Sequence, residues 1–208
     1  MTTRLTFAIL FIAGLLYTAN GQIMTSAQQG IGNRVQNNVL GISFAKVGTV
    51  VKLDSSTYRI TLLSSGTSPV QSATALVSVS DRLFIDLPGS YGGRVYLDSP
   101  SAVPLFKNRV MVDSVNTGQL NFRREYWAVY AGMGMWDCVI NSYVRKNGRY
   151  YIVSLVQDKM IGKPGEIVDG KPLKAENLKL KVVSSLQDTT NSIVHEFNKL
   201  LFSFQIHN

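Results

Sequence analysis

The chain has 208 residues, of which 16% are charged and 10% aromatic, and its formal net charge at pH 7 is +8. This composition excludes an intrinsically disordered chain, because disorder goes with many charges and few aromatic residues. The 21 lysine and arginine residues are scattered, and no block of like charge forms an arm for nucleic acid. We therefore expect no nucleic-acid partner, although a basic surface favours anionic partners in general.

The first 21 residues have the order of features of a secretory signal peptide. Arg4 supplies a positive charge, an apolar run follows from Phe7 to Tyr17, and small residues stand at the first and third positions of Ala19–Gly21. The run is shorter than the about 20 residues that a membrane-spanning helix needs. We expect cleavage after Gly21, which leaves Gln22 first, 20 basic against 13 acidic side chains, and a net charge of +7. The alternative is an uncleaved anchor.

Cysteine usage indicates the compartment. Cys138 is the single cysteine, so no internal disulfide can form, and no Asn has Ser or Thr two places on as a glycosylation acceptor. Small secreted animal modules usually carry several disulfides. We therefore expect a secreted or periplasmic protein, with a bacterial cell envelope favoured, and no transmembrane span once the signal is removed.

After the signal, the chain reads as a polar leader, residues 22–40, followed by a single α+β domain, residues 41–208. The leader is rich in Gln and Asn, and we expect it to be mobile with one short helix at most. Alternating apolar and polar residues then predict strands, which are SFAKVGTVVKL (43–53), TYRITLLS (57–64), ATALVSVS (73–80), RLFIDLP (82–88), GGRVYLDSP (92–100) and NRVMVDSV (108–115). The DSS between the first two predicts a hairpin turn.

Three longer alternating runs between Gln119 and Gln157 predict an antiparallel meander. They are joined at Gly132-Met133-Gly134 and at Asn147-Gly148, and Asn-Gly between alternating runs is a strong hairpin signal because both residues tolerate positive φ. The middle run, from Trp136 to Arg145, has its more apolar face on the side of Cys138, which we expect to look into the core.

The last 50 residues predict a loop, a strand and a helix. Prolines and glycines predict an exposed loop over 159–177, and LKLKVVSS (178–185) predicts a strand. Apolar residues at a helical spacing then predict one amphipathic helix packed on the sheet, and its stripe consists of Ile193, Phe197, Leu200, Leu201 and Phe204. We expect Asp188, Thr189 or Thr190 to cap its start.

The end of the chain resembles Mog1/PsbP/DcrB-type domains. The stretch NGRYYIVSLVQD, followed by a closing helix that reads FNKLLFSFQI, is similar to the G-x-Y-Y strand and the final helix running into S-F of those domains. This resemblance covers the last third of the chain. It implies an α+β sandwich used for binding or assembly rather than catalysis, although such a fold does not fix a function.

Few residues offer catalytic chemistry. Cys138 and His195 are a formal nucleophile–base pair, but the alternation places the cysteine on an apolar face, where its thiol stays protonated. Two histidines and one cysteine do not suffice for a zinc site of the usual composition, so we expect no metal and no cofactor. Glu125 and Asp137, on adjoining strands, leave open a carboxylate-based hydrolase acting on an envelope or extracellular polymer.

The meander is rich in aromatic residues that alternation cannot bury on one face. We interpret Tyr126, Tyr130 and Tyr143, edged by Arg124 and Arg145, as a hypothetical contact surface, because aromatic rings and guanidinium groups are suited to partner binding. A second core layer under a helix is the alternative for these rings. The sequence thus predicts an exported, non-catalytic binding or assembly protein with a protein, glycan or anionic envelope partner.

Overall fold

The computed structural model describes residues 22–23, 29–30, 33–64, 72–87, 93–132, 135–161, 167–168, 171–172 and 191–207. Within these ranges the first nine strands are β1 (Gln22–Ile23), β2 (Gln29–Gly30), β3 (Arg34–Asn37), β4 (Ile42–Ala45), β5 (Thr49–Lys52), β6 (Thr57–Leu63), β7 (Ser72–Ser80), β8 (Phe84–Leu87) and β9 (Gly93–Tyr96). A 3₁₀ helix (Pro100–Asn108) follows. The remaining elements are β10 (Arg109–Asn116), β11 (Asn121–Gly132), β12 (Met135–Lys146), β13 (Arg149–Ile161), β14 (Ile167–Val168), β15 (Lys171–Pro172), α1 (Ser192–Ser203) and β16 (Gln205–Ile206).

The largest unit is an eight-stranded antiparallel sheet in the order β1-β5-β6-β7-β13-β12-β11-β10. Three of its neighbouring strands are the predicted meander of β11, β12 and β13, and the turn between the last two has Asn147 at φ 51° and Gly148 at φ 78°. These left-handed values suit Asn-Gly and confirm the hairpin read from the sequence. A four-stranded sheet (β16-β4-β3-β2) and the hairpins β8–β9 and β14–β15 complete the described strands.

One face of the large sheet, here called the inner face, is covered by α1 and the four-stranded sheet. The whole predicted stripe of the helix is buried there, against alternate residues of β6, β7, β13, β12 and β11. Cys138 lies in this cluster, as the alternation predicts. The chain is therefore an α+β protein in which a mostly antiparallel sheet carries one C-terminal amphipathic helix.

The opposite face, here called the outer face, is only partly covered. The β8–β9 hairpin and the 3₁₀ helix pack on it and form a second core with Trp127 and Val139. The side chain of Asn141 fixes the hairpin, because its Nδ2 donates to the carbonyl oxygen of Phe84 at 3.1 Å while its Oδ1 accepts from Ser154 at 2.7 Å. The end of the face near the β12–β13 turn lies outside these clusters.

The structure corrects two local expectations about strands. The run SFAKVGTVVKL is two strands in different sheets, because the chain breaks at Gly48, whose φ is +68° and where a Cβ would overlap the carbonyl oxygen of Thr61. The polar leader was expected to be mobile, yet its residues Arg34–Asn37 form β3, with Val35 fully buried and Asn37 donating to Tyr58 Oη at 2.6 Å.

The helix cap also differs from the expectation. Asn191 caps α1 by accepting from the backbone N–H of Ile193 at 2.9 Å, whereas Asp188, Thr189 and Thr190 lie outside the described residues. The signal peptide expected over 1–21 and the strand expected over 178–185 lie outside them as well, as does most of the loop expected over 159–177. No helix in the described ranges combines the length and the apolar character needed to cross a membrane.

Candidate functional site

The candidate site lies on the outer face of the meander, and strand alternation decides which side chains reach it. On β11, Arg123 and Glu125 point to the outer face together with Trp127 of the second core. On β12, Tyr143 is directly opposite Arg123 and therefore shares its face. Arg145 is two residues further along β12 and points the same way.

Glu125 is the centre of this group. Its side chain is 2% exposed, and its Oε1 accepts from Arg109 Nη1 at 3.1 Å, from Arg123 Nε at 3.2 Å and from Tyr143 Oη at 3.2 Å. Its Oε2 is buried and has no hydrogen-bond partner among the described residues. One carboxylate thus holds two guanidinium groups and one phenol in place.

These contacts fix the protonation states around Glu125. Burial, followed by the negative charge of Glu125, raises the pKa of Tyr143 to about 12, so its hydroxyl is protonated and donates at ordinary pH. The hydrogen bond to Glu125 raises the pKa of Arg123 above its usual value. Arg123 therefore keeps its positive charge over the whole physiological range.

Aromatic contacts extend the group toward the β12–β13 turn. The rings of Tyr143 and Tyr150 meet edge to face, with centroids 6.2 Å apart and planes at 69°. The guanidinium carbon of Arg145 lies 5.4 Å from the centre of the Tyr150 ring, a cation–π geometry. We call Arg109, Arg123, Glu125, Tyr143, Arg145 and Tyr150 the outer-face cluster.

The outer-face cluster carries three cations and one anion. Arg123 has 54% of its side chain exposed and Arg109 has 33%, whereas Glu125 is buried. Positive charge therefore faces the solvent while the compensating negative charge lies underneath. Chemically, this arrangement can bind an oxyanion through guanidinium N–H groups.

Arg124 and Tyr126, the other two described members of the expected surface, lie on the inner face. Arg124 donates from Nε and Nη2 to the two carboxylate oxygens of Asp113 at 2.8 and 2.7 Å. Burial opposes the charge of Arg124, but the bonds to Asp113 raise its pKa. Tyr126 is fully buried, with the Arg124 guanidinium carbon 5.1 Å from its ring centre.

The five residues singled out from the sequence are thus not all brought together. Tyr143 and Arg145 belong to the outer-face cluster, Arg124 and Tyr126 to the inner face, and the side chain of Tyr130 lies outside what the structure describes. The sequence reasoning missed Arg109 and Arg123, which no spacing motif marks. The signal that finds Arg123 is the cross-strand register, because it pairs with Tyr143.

The hydrolase alternative gains no support from the placement of its carboxylates. Glu125 is opposite Asn141, and Asp137 is four residues further along β12, which is about 13 Å at the rise of a strand. Paired glycosidase carboxylates lie about 5 to 9.5 Å apart. The carboxylate of Glu125 is also already bonded to Arg109, Arg123 and Tyr143.

The cysteine and histidine are not arranged as a nucleophile and its base. Burial raises the pKa of the Cys138 thiol to about 12, so it is protonated and unreactive. His195 lies on the exposed side of α1. Among the described residues, no group of three or more His, Cys, Asp or Glu side chains converges where a metal ion could bind.

Two cavities lie near the outer face but do not include the outer-face cluster. One of about 360 Å³ is lined by residues that include Tyr96 and Arg149, and one of about 170 Å³ is lined by residues that include Val95 and Leu105. The outer-face cluster is therefore an open surface rather than part of either cavity.

Comparison with known proteins gives one weak likeness. No protein-family model matches the chain, and no curated protein is similar enough to count as a relative. Among solved structures, the solution structure of cyanobacterial PsbP (CyanoP) from Synechocystis matches with 13% sequence identity and a TM-score of 0.32, over 86% of this chain and 96% of that chain. A likeness at this level is a weak resemblance of fold and assigns no function.

Proposed function

We propose that this chain is an exported, non-catalytic binding or assembly protein of the cell envelope or extracellular space, and that its outer-face cluster contacts an anionic partner. The observation that carries the proposal is the excess of guanidinium groups over carboxylates in the cluster, with the only acid buried beneath them. Oppositely charged partners are drawn to such a surface and held in register on it.

The aromatic members support the same proposal. Tyr and Arg are enriched in binding surfaces, since their side chains offer both an apolar body and polar ends. In the outer-face cluster the rings of Tyr143 and Tyr150 pack edge to face, and the guanidinium group of Arg145 packs over the Tyr150 ring. The surface is therefore ordered before a partner arrives, which lowers the entropy lost on binding.

Export is tested by producing the full chain in a bacterium and fractionating the cells. We expect the protein outside the cytoplasm, with Gln22 as its first residue. Recovery of the protein in the cytoplasm with Met1 still present would contradict the proposal.

The contact surface is tested with the exported protein and three immobilised anionic probes, namely polyglutamate, heparin and vesicles rich in phosphatidylglycerol. We expect salt-sensitive binding to at least one probe, and its loss when Arg123→Gln and Arg145→Gln are combined. The matched control combines Arg59→Gln with Lys199→Gln, two exposed residues outside the cluster, and should bind as the unchanged protein does. Two results would refute this role for the outer-face cluster. One is that the protein binds none of the three probes, and the other is that the two double variants lose the same amount of binding.

A further inference from the structure

We infer that the anionic partner is a second protein, which lays an extended acidic segment across the outer-face cluster and places carboxylates on Arg123 and Arg145. This inference rests on the function proposed above and adds the chemical class of the partner. It is carried by the solvent-exposed guanidinium groups, the aromatic geometry and the spacing of the two arginines.

Guanidinium donors reach the solvent at the cluster. Arg123 donates to Glu125 through Nε and also hydrogen-bonds to Tyr143, yet 54% of its side chain is exposed. Arg109 is bonded to Glu125 through Nη1, and its guanidinium carbon lies 5.3 Å from the ring centre of Phe106. Because a guanidinium has five N–H donors in a planar fork, Arg123 keeps N–H groups that can donate to a carboxylate after these contacts are made.

The aromatic geometry disfavours partners that bind by stacking. Sugar rings and nucleobases stack on the face of a single ring, and in the cluster Tyr143 and Tyr150 already contact each other edge to face. Arg145 occupies a position over the Tyr150 ring. Tyr150 therefore supports a cation, while Tyr143 uses its hydroxyl to donate to Glu125.

A flat bilayer is also a poor match for this face. Surface-binding elements insert a continuous apolar face among the acyl chains, whereas the exposed apolar side chain beside the cluster is Val112, which lies opposite Glu125 on β10 and is 40% exposed. One half-exposed valine next to arginine and tyrosine matches the mixed composition of a protein–protein contact.

The spacing of the two arginines indicates the form of the acidic segment. Arg123 and Arg145 are diagonal neighbours on β11 and β12, since Arg123 is opposite Tyr143, and diagonal neighbours are about 7–8 Å apart. In an extended chain, side chains at positions i and i+2 share a face and are about 6.6 Å apart. Acidic residues at alternate positions of an extended segment therefore match the two guanidinium groups.

The inference is tested with the exported full chain and two fluorescently labelled peptides of equal charge, using fluorescence anisotropy. One peptide alternates glutamate with serine over eight residues, and the other has the sequence Glu-Glu-Ser-Ser-Glu-Glu-Ser-Ser, in which no two glutamates are at positions i and i+2. We expect the alternating peptide to bind more tightly, and its affinity to fall about tenfold in the Arg123→Gln, Arg145→Gln double variant. The Arg59→Gln, Lys199→Gln control should leave that affinity unchanged.

Three results would overturn the inference. They are equal affinity for the two peptides, equal loss of affinity in the two double variants, and cluster-dependent binding of heparin or phosphatidylglycerol vesicles without binding of the alternating peptide. The third result would leave the proposed function standing with a glycan or a lipid surface as the partner. Absence of binding to the peptides, heparin and vesicles alike would remove both proposals.

Discussion

The phenolic oxygen of Tyr143 lies 3.2 Å from Oε1 of Glu125, and the tyrosine donates to the carboxylate across β12 and β11. Tyr143 stands opposite Arg123, so this contact runs diagonally between neighbouring strands. It joins the aromatic half of the outer-face cluster to its ionic half.

Removing the donor alone should weaken the fold slightly. In Tyr143→Phe the ring and its contact with Tyr150 remain, and Glu125 keeps both arginines, so we expect a loss of about 0.5–1.5 kcal/mol in the free energy of unfolding, measured with urea. Binding to the anionic probes should persist, because no charge changes. An unchanged urea midpoint would argue against the hydrogen bond.

Removing the charge of Glu125 should have a larger effect. The side chain is 2% exposed and holds two guanidinium groups, so Glu125→Ala should lower the free energy of unfolding by about 3 kcal/mol. The control is Asp81→Asn, at an exposed position, which should change stability by less than about 0.5 kcal/mol. Equal effects of the two substitutions would mean that Glu125 does not organise the outer-face cluster.

Stability at high pH should depend on Cys138. Burial raises the pKa of its thiol from 9.0 to about 12, so the unfolded chain loses this proton more readily than the folded one. The stability that the protonated thiol contributes is fully present below about pH 9. It falls as the pH rises toward 12, by up to about 1.4 kcal/mol for each pH unit. We expect the difference in unfolding free energy between the unchanged protein and Cys138→Ala to shrink over this range. A difference that stays constant from pH 8 to 11 would show that the thiol is not shielded.

The helix stripe should be essential for folding. Phe197, on the buried side of α1, is fully buried, and Phe197→Ala should lower the free energy of unfolding by about 3–5 kcal/mol. The same helix offers a matched control in Phe202, which is 54% exposed, so Phe202→Ala should have little effect on the thermal midpoint. Similar shifts in both variants would contradict the packing of α1 on the inner face.

The residues just before position 41 should contribute to stability. Asn37 is buried and bonded to Tyr58, so Asn37→Ala leaves the tyrosine hydroxyl without this partner and should cost about 1–2 kcal/mol in urea unfolding. Asn38→Ala, at the neighbouring exposed position, is the control and should be close to neutral. A neutral Asn37→Ala would restore the view of this segment as a leader outside the domain.

The amino-acid sequence was enough to predict the features that depend on neighbouring residues. Alternation of apolar residues marked most strands, the Asn147-Gly148 dipeptide marked the β12–β13 turn, and the stripe from Ile193 to Phe204 marked the helix and its buried side. Each of these follows from a local periodicity or from a backbone angle that few residues adopt. The α+β class could be predicted for the same reason.

Which of the predicted residues share a surface depends on how the strands pair in the folded chain. At the β11–β12 turn Gly132 is opposite Met135, a register that would place Tyr143 opposite Arg124 and on the face of Tyr126 if it continued. The register shifts by one residue between Tyr130 and Gly132, so Tyr143 stands opposite Arg123 instead. Because side chains alternate with a period of two, a shift of β12 by one residue along β11 changes which side chains of β12 share a face with a given residue of β11. No local pattern in the sequence specifies that shift, and it is what brings Arg123, Glu125 and Tyr143 together.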